Sequence, residues 1–176
     1  MVKIDTAFRR CCNDNTLVEH LFMSEAGFRD LTSGLDPQSL AERVRDGMFE
    51  NDQASQGLGM RFEGVGPGYA RMTMTVRENM LNGFRICHGG FITTLADSAF
   101  AFACNSYNEQ TVASGVSVDF MAPGRPGDEL TAEAKEVFTS GRTGVYDIVV
   151  TNQKQELIAV MRGKSYRLKG RAVVEL

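Results

Sequence analysis

The sequence predicts an α+β domain in which one long buried helix lies against one face of an antiparallel sheet. Three observations predict it. Residues 89–106 are alanine-rich and apolar nearly all round, with Leu95, Phe91, Phe100 and Phe102, and Asp97 is their sole charge. A helix of that composition belongs in a core. Before and after it come runs that alternate apolar and polar with a period of two, the signature of strands with one buried face. Short turn sequences join most of these runs, and strands joined that way pair antiparallel.

Taken in order, residues 1–36 read as an extension of mixed charge and weak periodicity, in which Leu17, Leu21 and Phe22 share one side of a short helix. The segment is either a poorly ordered extension or a start assigned too early, with Met23 as the alternative start. A clearer helix opens at Asp36-Pro37, since Asp is a favoured N-cap and Pro suits the first helical position. Leu40, Val44 and Met48 form its apolar stripe to about Glu50, and Gly57 and Gly59 break it. Ala70, Met72, Met74 and Val76 alternate with Arg71, Thr73, Thr75 and Arg77, with residues 58–64 as a partner strand. A loop over 78–88 carries Asn82-Gly83 and ends at His88-Gly89-Gly90, where the buried helix starts. Four strands follow. Val116, Val118 and Phe120 are expected to face inward in the first, and Leu130, Ala132 and Ala134 in the second. Residues 143–151 and 156–168 supply the last two around a turn at Asn152-Gln153-Lys154. The domain is placed at 37–170, with 171–176 as a tail.

Composition narrows the function. The chain has 176 residues, 43% hydrophobic and 23% charged, which fits one globular domain and excludes a wholly disordered or fibrous chain. A net charge of −3 argues against nucleic acid as a partner. Cys11, Cys12, Cys87 and Cys104 form no C-x-x-C pair, so neither a structural zinc nor a disulfide framework is expected, and reduced cysteines fit a cytoplasmic protein. Only His20 and His88 add imidazole ligands, and no metal or cofactor is implied. The N-terminus lacks a secretory apolar core, and residues 89–106 are too polar to span a membrane. There is no G-x-S-x-G and no G-x-G-x-x-G; Gly163-Lys164-Ser165 resembles the tail of a phosphate-binding loop but sits in a strand, with Ile158 at the first glycine position.

Two features remain as chemistry. The first is the helix start at His88-Gly89-Gly90, which reads either as a flexible loop-to-helix junction or as a site where Gly89 N–H polarises a carbonyl oxygen. The second is Asp97, a carboxylate in an apolar helix that is costly to bury unless something holds its charge; it reads either as a functional group or as one that faces a water-filled edge or bonds a hydroxyl such as Ser98 or Thr94. Eight residues separate them, about 12 Å of helical rise, too far for one reacting centre. If both act on one carbonyl they must come from two copies, which predicts a two-fold dimer with two composite sites. A third feature is Arg162, Lys164, Arg167, Lys169 and Arg171, a local positive edge with Arg125 and Arg142 expected nearby. It reads either as a phosphate-binding surface or as an edge strand guarded by cations.

The run Met80-Leu81-Asn82-Gly83, Cys87-His88-Gly89-Gly90, Leu95-Ala96-Asp97 and Ala103-Cys104-Asn105-Ser106 resembles hotdog-fold acyl-CoA thioesterases of the PaaI type, from the phenylacetate degradation pathway. Thr143-Gly144-Val145-Tyr146-Asp147-Ile148 and Arg162-Gly163-Lys164-Ser165 add to the match, which covers about residues 38–170. The resemblance implies a long central helix wrapped by an antiparallel sheet, a homodimer that shares its active sites, and a dimer of dimers. It implies Asp97 as nucleophile or general base, Gly89 as backbone donor, and His88 and Asn51 as orienting residues. The substrate is expected to be (hydroxy)phenylacetyl-CoA or a related aromatic acyl-CoA, contacted by Asn82, Phe84, Gly90, Ser98, Arg142, Arg162 and Lys164. Met80, Phe91, Phe100 and Met121 are further candidates for the acyl pocket. The competing readings are a hotdog enoyl-CoA hydratase or dehydratase, with His88 and Asp97 as an acid/base pair, and a non-catalytic acyl-CoA-binding protein.

Overall fold

The computed structural model describes residues 34–176, so the predicted extension, with Cys11, Cys12, His20 and Met23, lies outside the described residues except at 34–36. Helix α1 runs Pro37–Asn51, and the Asp36 carboxylate accepts from the Gln38 and Ser39 N–H groups at its start. Its buried side is Leu40, Ala41 and Val44, with Met48 half-buried. The chain breaks earlier than the glycines suggested. Asp52 caps a second short helix, α2 (Gln53–Gly57), by accepting from Ser55 N–H and Ser55 Oγ. Gly59, at φ +71°, then makes the turn into the sheet.

Strands β1 (Arg61–Gly66) and β2 (Tyr69–Thr75) form a hairpin, and a loop with one 3₁₀ turn leads to the central helix α3 (Gly89–Asn105). Strands β3 (Thr111–Phe120), β4 (Glu129–Ser140), β5 (Thr143–Thr151) and β6 (Leu157–Arg167) follow. The six strands form one antiparallel sheet in the order β1-β2-β4-β5-β6-β3. This is the expected α+β architecture, with the sheet curled around α3.

The core lies between the helix and the inner face of the sheet. Met72 and Met74 of β2, Leu130, Ala132 and Ala134 of β4, Ile148 and Val150 of β5 and Met161 of β6 meet Leu95, Ala96, Ala99, Phe100 and Ala103. Small residues set how close the helix can come. At Gly163 of β6 an added Cβ would lie 2.9 Å from the Phe100 ring, so glycine makes the slot that ring fills. Burying an aromatic side chain of this kind contributes about 1.5–3 kcal/mol.

Two expectations are corrected by the strand order. β3 pairs only with β6 and is an edge strand, so its inner face extends past the helix. Val118 packs against the core, but Val116 and Phe120 are exposed. Conversely, β6 is no edge, because β5 and β3 flank it. Its Arg162 and Lys164 stand on the outer face of the sheet, alternating with buried Met161, Gly163 and Ser165.

The far end of α3 is tied to β3 by one side chain. Buried Asn105 accepts from the Thr111 N–H through Oδ1 at 2.8 Å, and its Nδ2 donates to the Thr111 carbonyl at 2.8 Å and to the Ala101 carbonyl at 2.9 Å. Asn105→Ala leaves both backbone groups of Thr111 without these partners in a dry site, and a loss of about 2–4 kcal/mol is expected. Urea denaturation monitored by circular dichroism measures it, with an unchanged slope if only the folded state is affected.

Candidate active site

The start of α3 is built by His88. Its Nδ1 accepts from Gly90 N–H at 3.0 Å, and its carbonyl accepts from Phe91 N–H at 2.9 Å. Nδ1 is thus the acceptor and Nε2 carries the proton when the ring is neutral. With these two donors used, Gly89 N–H is the first-turn donor left for a ligand among the described residues. It lines a hollow of about 500 Å³ walled by Asn82, Ile86, Cys87, Ile92 and residues 120–123. The tip of the exposed Phe120 ring stands over this position, 2.9 Å from where a Cβ would lie, so a side chain here would make that ring swing outward.

Asn82 organises the rim of this hollow. Its Oδ1 accepts from Phe84 N–H at 2.9 Å and Ile86 N–H at 3.4 Å, which leaves its amide NH₂ as the polar group available to a ligand. Phe84, at the tip of the same loop, is 87% exposed and stands outside this hollow. The loop turns outward there because Asn82 and Ile86 close its base, with Asn82 N–H donating to the Ile86 carbonyl at 2.8 Å.

Asp97 lies elsewhere. It lines a second hollow, of about 390 Å³, with Phe100, Ala101, Cys104 and Asn105 on its own helix, Met48 of α1, Gln110–Ala113 and Val173. The carboxylate is exposed in the chain rather than sealed, because the flank of α3 that carries it is the one the sheet leaves uncovered. The apolar walls still strip water from it, and this burial raises its carboxyl above the ordinary carboxylate range. Cys104 in the same hollow and Cys87 in the other are held as thiols, burial pushing them up to about 12 and about 11. Neither is a thiolate nucleophile at neutral pH.

Other expected site residues stand apart from both hollows. Asn51 ends α1 with its Nδ2 on the Gly47 carbonyl at 3.3 Å, pointing back along its own helix. The Ser98 hydroxyl is 2.9 Å from Ser55 Oγ, which itself donates to the Asp52 carboxylate at 2.6 Å, so Ser98 ties α3 to α2. Gly90 is exposed with its N–H engaged by His88. Arg162 is held by Asp147 through two bonds of 2.8 and 2.9 Å on the outer sheet face, where Lys164 also stands. Arg142, at the β4–β5 hairpin, donates to Tyr166 Oη at 3.1 Å. Arg125 lies before the start of β4 and Arg142 beyond its end, about 40 Å apart for a strand of this length, so they do not share a cluster. Among the acyl-pocket candidates Phe100 lines the Asp97 hollow and Met121 the Gly89 hollow, while Met80 is buried in the core and Phe91 packs against it.

A helix with an unused backbone donor at its start and a lone carboxylate two turns along matches known proteins. The thioesterase superfamily model matches residues 84–159, which hold both groups. The chain is 48% identical over 123 residues to the acyl-coenzyme A thioesterase PaaI of Escherichia coli, 70% of this chain and 88% of that protein. It belongs to the thioesterase superfamily. Its fold is the hotdog fold, and the enzyme is a thioester hydrolase of the PaaI type. The structure of the E. coli PaaI protein, from the phenylacetic acid degradation operon, superposes with a TM-score of 0.76 at 44% identity, covering 77% of this chain and 99% of that one. A Streptococcus mutans protein solved with acetyl-CoA superposes at 0.61 with 26% identity, covering 64% and 90%.

Residue type and helical spacing point to Asp97 and Gly89. Spacings of three, four and seven from Asp97 also point to Phe100, Ala101 and Cys104. Met48, Gln110 and Val173 reach the Asp97 hollow from distant parts of the chain, and no local pattern marks them.

The raised carboxyl of Asp97 has a consequence for stability. The folded state holds its proton more tightly than the unfolded chain, so this group lowers stability as pH rises from the ordinary carboxylate range through its folded value. Asp97→Asn is therefore expected to be more stable than the wild type at pH 7, with the difference shrinking as pH falls toward about 4. Paired urea midpoints at several pH values test it.

Proposed function

We propose that this thioesterase hydrolyses acyl-CoA thioesters, with (hydroxy)phenylacetyl-CoA or a related aromatic acyl-CoA as substrate, in phenylacetate catabolism in the cytoplasm. The observation that carries the reading is Asp97, the one carboxylate lining a mostly apolar hollow with Phe100 in its wall. The E. coli relative's activity and operon support the substrate class, and the acetyl-CoA bound to the S. mutans protein supports a CoA ester. Among the described residues no helix is long and apolar enough to cross a membrane.

The active site is assembled from two chains. Gly89 and Asp97 open into different hollows of one chain, eight residues and about 12 Å of rise apart. A second copy whose central helix runs antiparallel brings its Gly89 to the first chain's Asp97. The exposed apolar residues Val116, Phe120 and Met121 at the β3 edge fit burial against that copy. Pairing of two such dimers follows the resemblance noted above.

In this site the thioester carbonyl oxygen accepts from Gly89 N–H. Asp97 acts as general base, a role its raised carboxyl favours by strengthening it as a proton acceptor. It takes a proton from water as the water oxygen bonds to the carbonyl carbon. The oxyanion collapses, the carbon–sulfur bond breaks, and the proton returns from Asp97 to the CoA sulfur. The products are the free acid and CoA thiol. His88 holds the donor in place. Its Nδ1 is engaged by Gly90 N–H, which fits an orienting role.

A thiol-release assay over an acyl-CoA panel tests the reading. Asp97→Asn is expected to lose turnover by about 10²–10⁴, the range of a general base. Gly89→Pro removes the donor at a position where proline is compatible with a helix, and a loss of about 10²–10³ is expected. Both inactive chains, coexpressed, should recover activity up to one intact site per heterodimer. No recovery in a folded heterodimer would overturn the site shared between two chains.

A further inference from the structure

The C-terminal tail does not trail from β6; it returns across the end of α3 and is fastened there. Leu168 N–H donates to the Gln110 carbonyl at 2.7 Å, and Gln110 N–H donates to the Arg171 carbonyl at 2.8 Å. Asn108 then grips the next turn. Its Oδ1 accepts from Val173 N–H and Val174 N–H, each at 3.0 Å, and its Nδ2 donates to the Val174 carbonyl at 3.2 Å. Asn108 is buried at φ +57°, a left-handed conformation that asparagine tolerates better than most residues. Val174 seats on α1 at Gly47, where any Cβ would overlap its methyl group.

This fastening sets half-buried Val173 into the wall of the Asp97 hollow. The hollow runs along α3 from Asp97 past Ala101 to Cys104, seven residues or about 10 Å. The tail's anchors, Asn108 and Gln110, lie beyond the C-terminal end of that helix. Val173 therefore closes the end of the hollow remote from the carboxylate. Gly47 and Met48 of α1 are neighbours in sequence, the first receiving Val174 and the second lining the hollow, so tail and helix form one continuous wall.

We propose that Val173 is a specificity-determining residue: it is the distal stop against which the apolar end of the acyl group packs, and the Asn108 clamp fixes how long an acyl group the enzyme accepts. The inference rests on the reading of Asp97 as the group that acts on an acyl-CoA carbonyl.

The test measures kcat/KM for acetyl-CoA, phenylacetyl-CoA and a longer phenylalkanoyl-CoA on the full-length enzyme. Val173→Ala is expected to raise the ratio of the longest to the shortest substrate about tenfold, and Val173→Phe to lower it about as much, the scale of one or two methylene-sized changes in an apolar pocket. Asn108→Ala should raise the ratio as Val173→Ala does, with faster amide exchange at Val173 and Val174. Unchanged ratios, or shifts of the same sign in both Val173 variants, would overturn the proposal. So would a tail freed in Asn108→Ala without a change in ratio. Asp97→Asn assayed on the same panel separates the two readings. Turnover retained there overturns the site assignment, whereas turnover lost there with unchanged Val173 ratios overturns the length stop alone.

Discussion

One packing constraint organises the molecule: a single apolar helix must be covered by a sheet with too few strands to enclose it. Helix α3 touches β2, β3, β4, β5 and β6, and its buried residues fill a core made small on the sheet side by Ala132, Ala134 and Gly163. A larger residue at Gly163 would push against the Phe100 ring. Loss of the Asn105 clamp would let the far end of the helix drift from β3. The depth of the helix is thus set at both ends, and with it the flank that remains outside.

That uncovered flank carries Asp97, the proposed general base. Asp97 tolerates its position because the sheet does not seal it, and its pKa is raised because partial burial in the hollow strips water from it nonetheless. The geometry also places the helix start and the carboxylate in separate hollows. Strand order contributes to the same end. Because β3 lies at the sheet edge beside β6, apolar residues from the end of β3 wall the Gly89 hollow while those from its beginning wall the Asp97 hollow. One edge strand therefore links the two halves of the candidate site, and its exposure is a property of the site as much as of the sheet.

Much of this was legible in the sequence because it is written in local periodicity. The period of two in Ala70–Val76 and Leu130–Ala134 reports burial directly, and the alanine-rich run with one aspartate marks both the core helix and its candidate functional residue. What depends on pairing between distant strands was not legible. Arg162 reads as a free cation until the register sets it opposite Asp147, where the two share a bidentate ion pair. Val116 and Phe120 alternate as an inward face should, and only the strand order shows them on an exposed edge, where Phe120 stands over the start of the helix at Gly89. Phe84 was a reasonable pocket residue by type, but its loop is closed below it by Asn82. Val173 carries no signal at all, since a valine in a short tail acquires meaning only when Asn108 anchors it.

The three described α-helices differ in one respect that bears on the reaction. Asp36 caps α1 and Asp52 caps α2, each placing a carboxylate on the unpaired N–H groups and cancelling part of the helix's positive end. Helix α3 has no acidic residue in its first turn and is capped by an imidazole nitrogen. A neutral cap satisfies the Gly90 donor without neutralising the field, so the positive potential at Gly89 persists. A carboxylate cap at position 88 would have been the stronger choice for helix stability alone. It would also have stood close to the proposed oxyanion site at Gly89 and opposed charge developing there. The histidine therefore reconciles two demands, a closed helix end and an electropositive donor. It meets them only through the Nδ1-acceptor form, because a ring protonated at both nitrogens can no longer accept from Gly90.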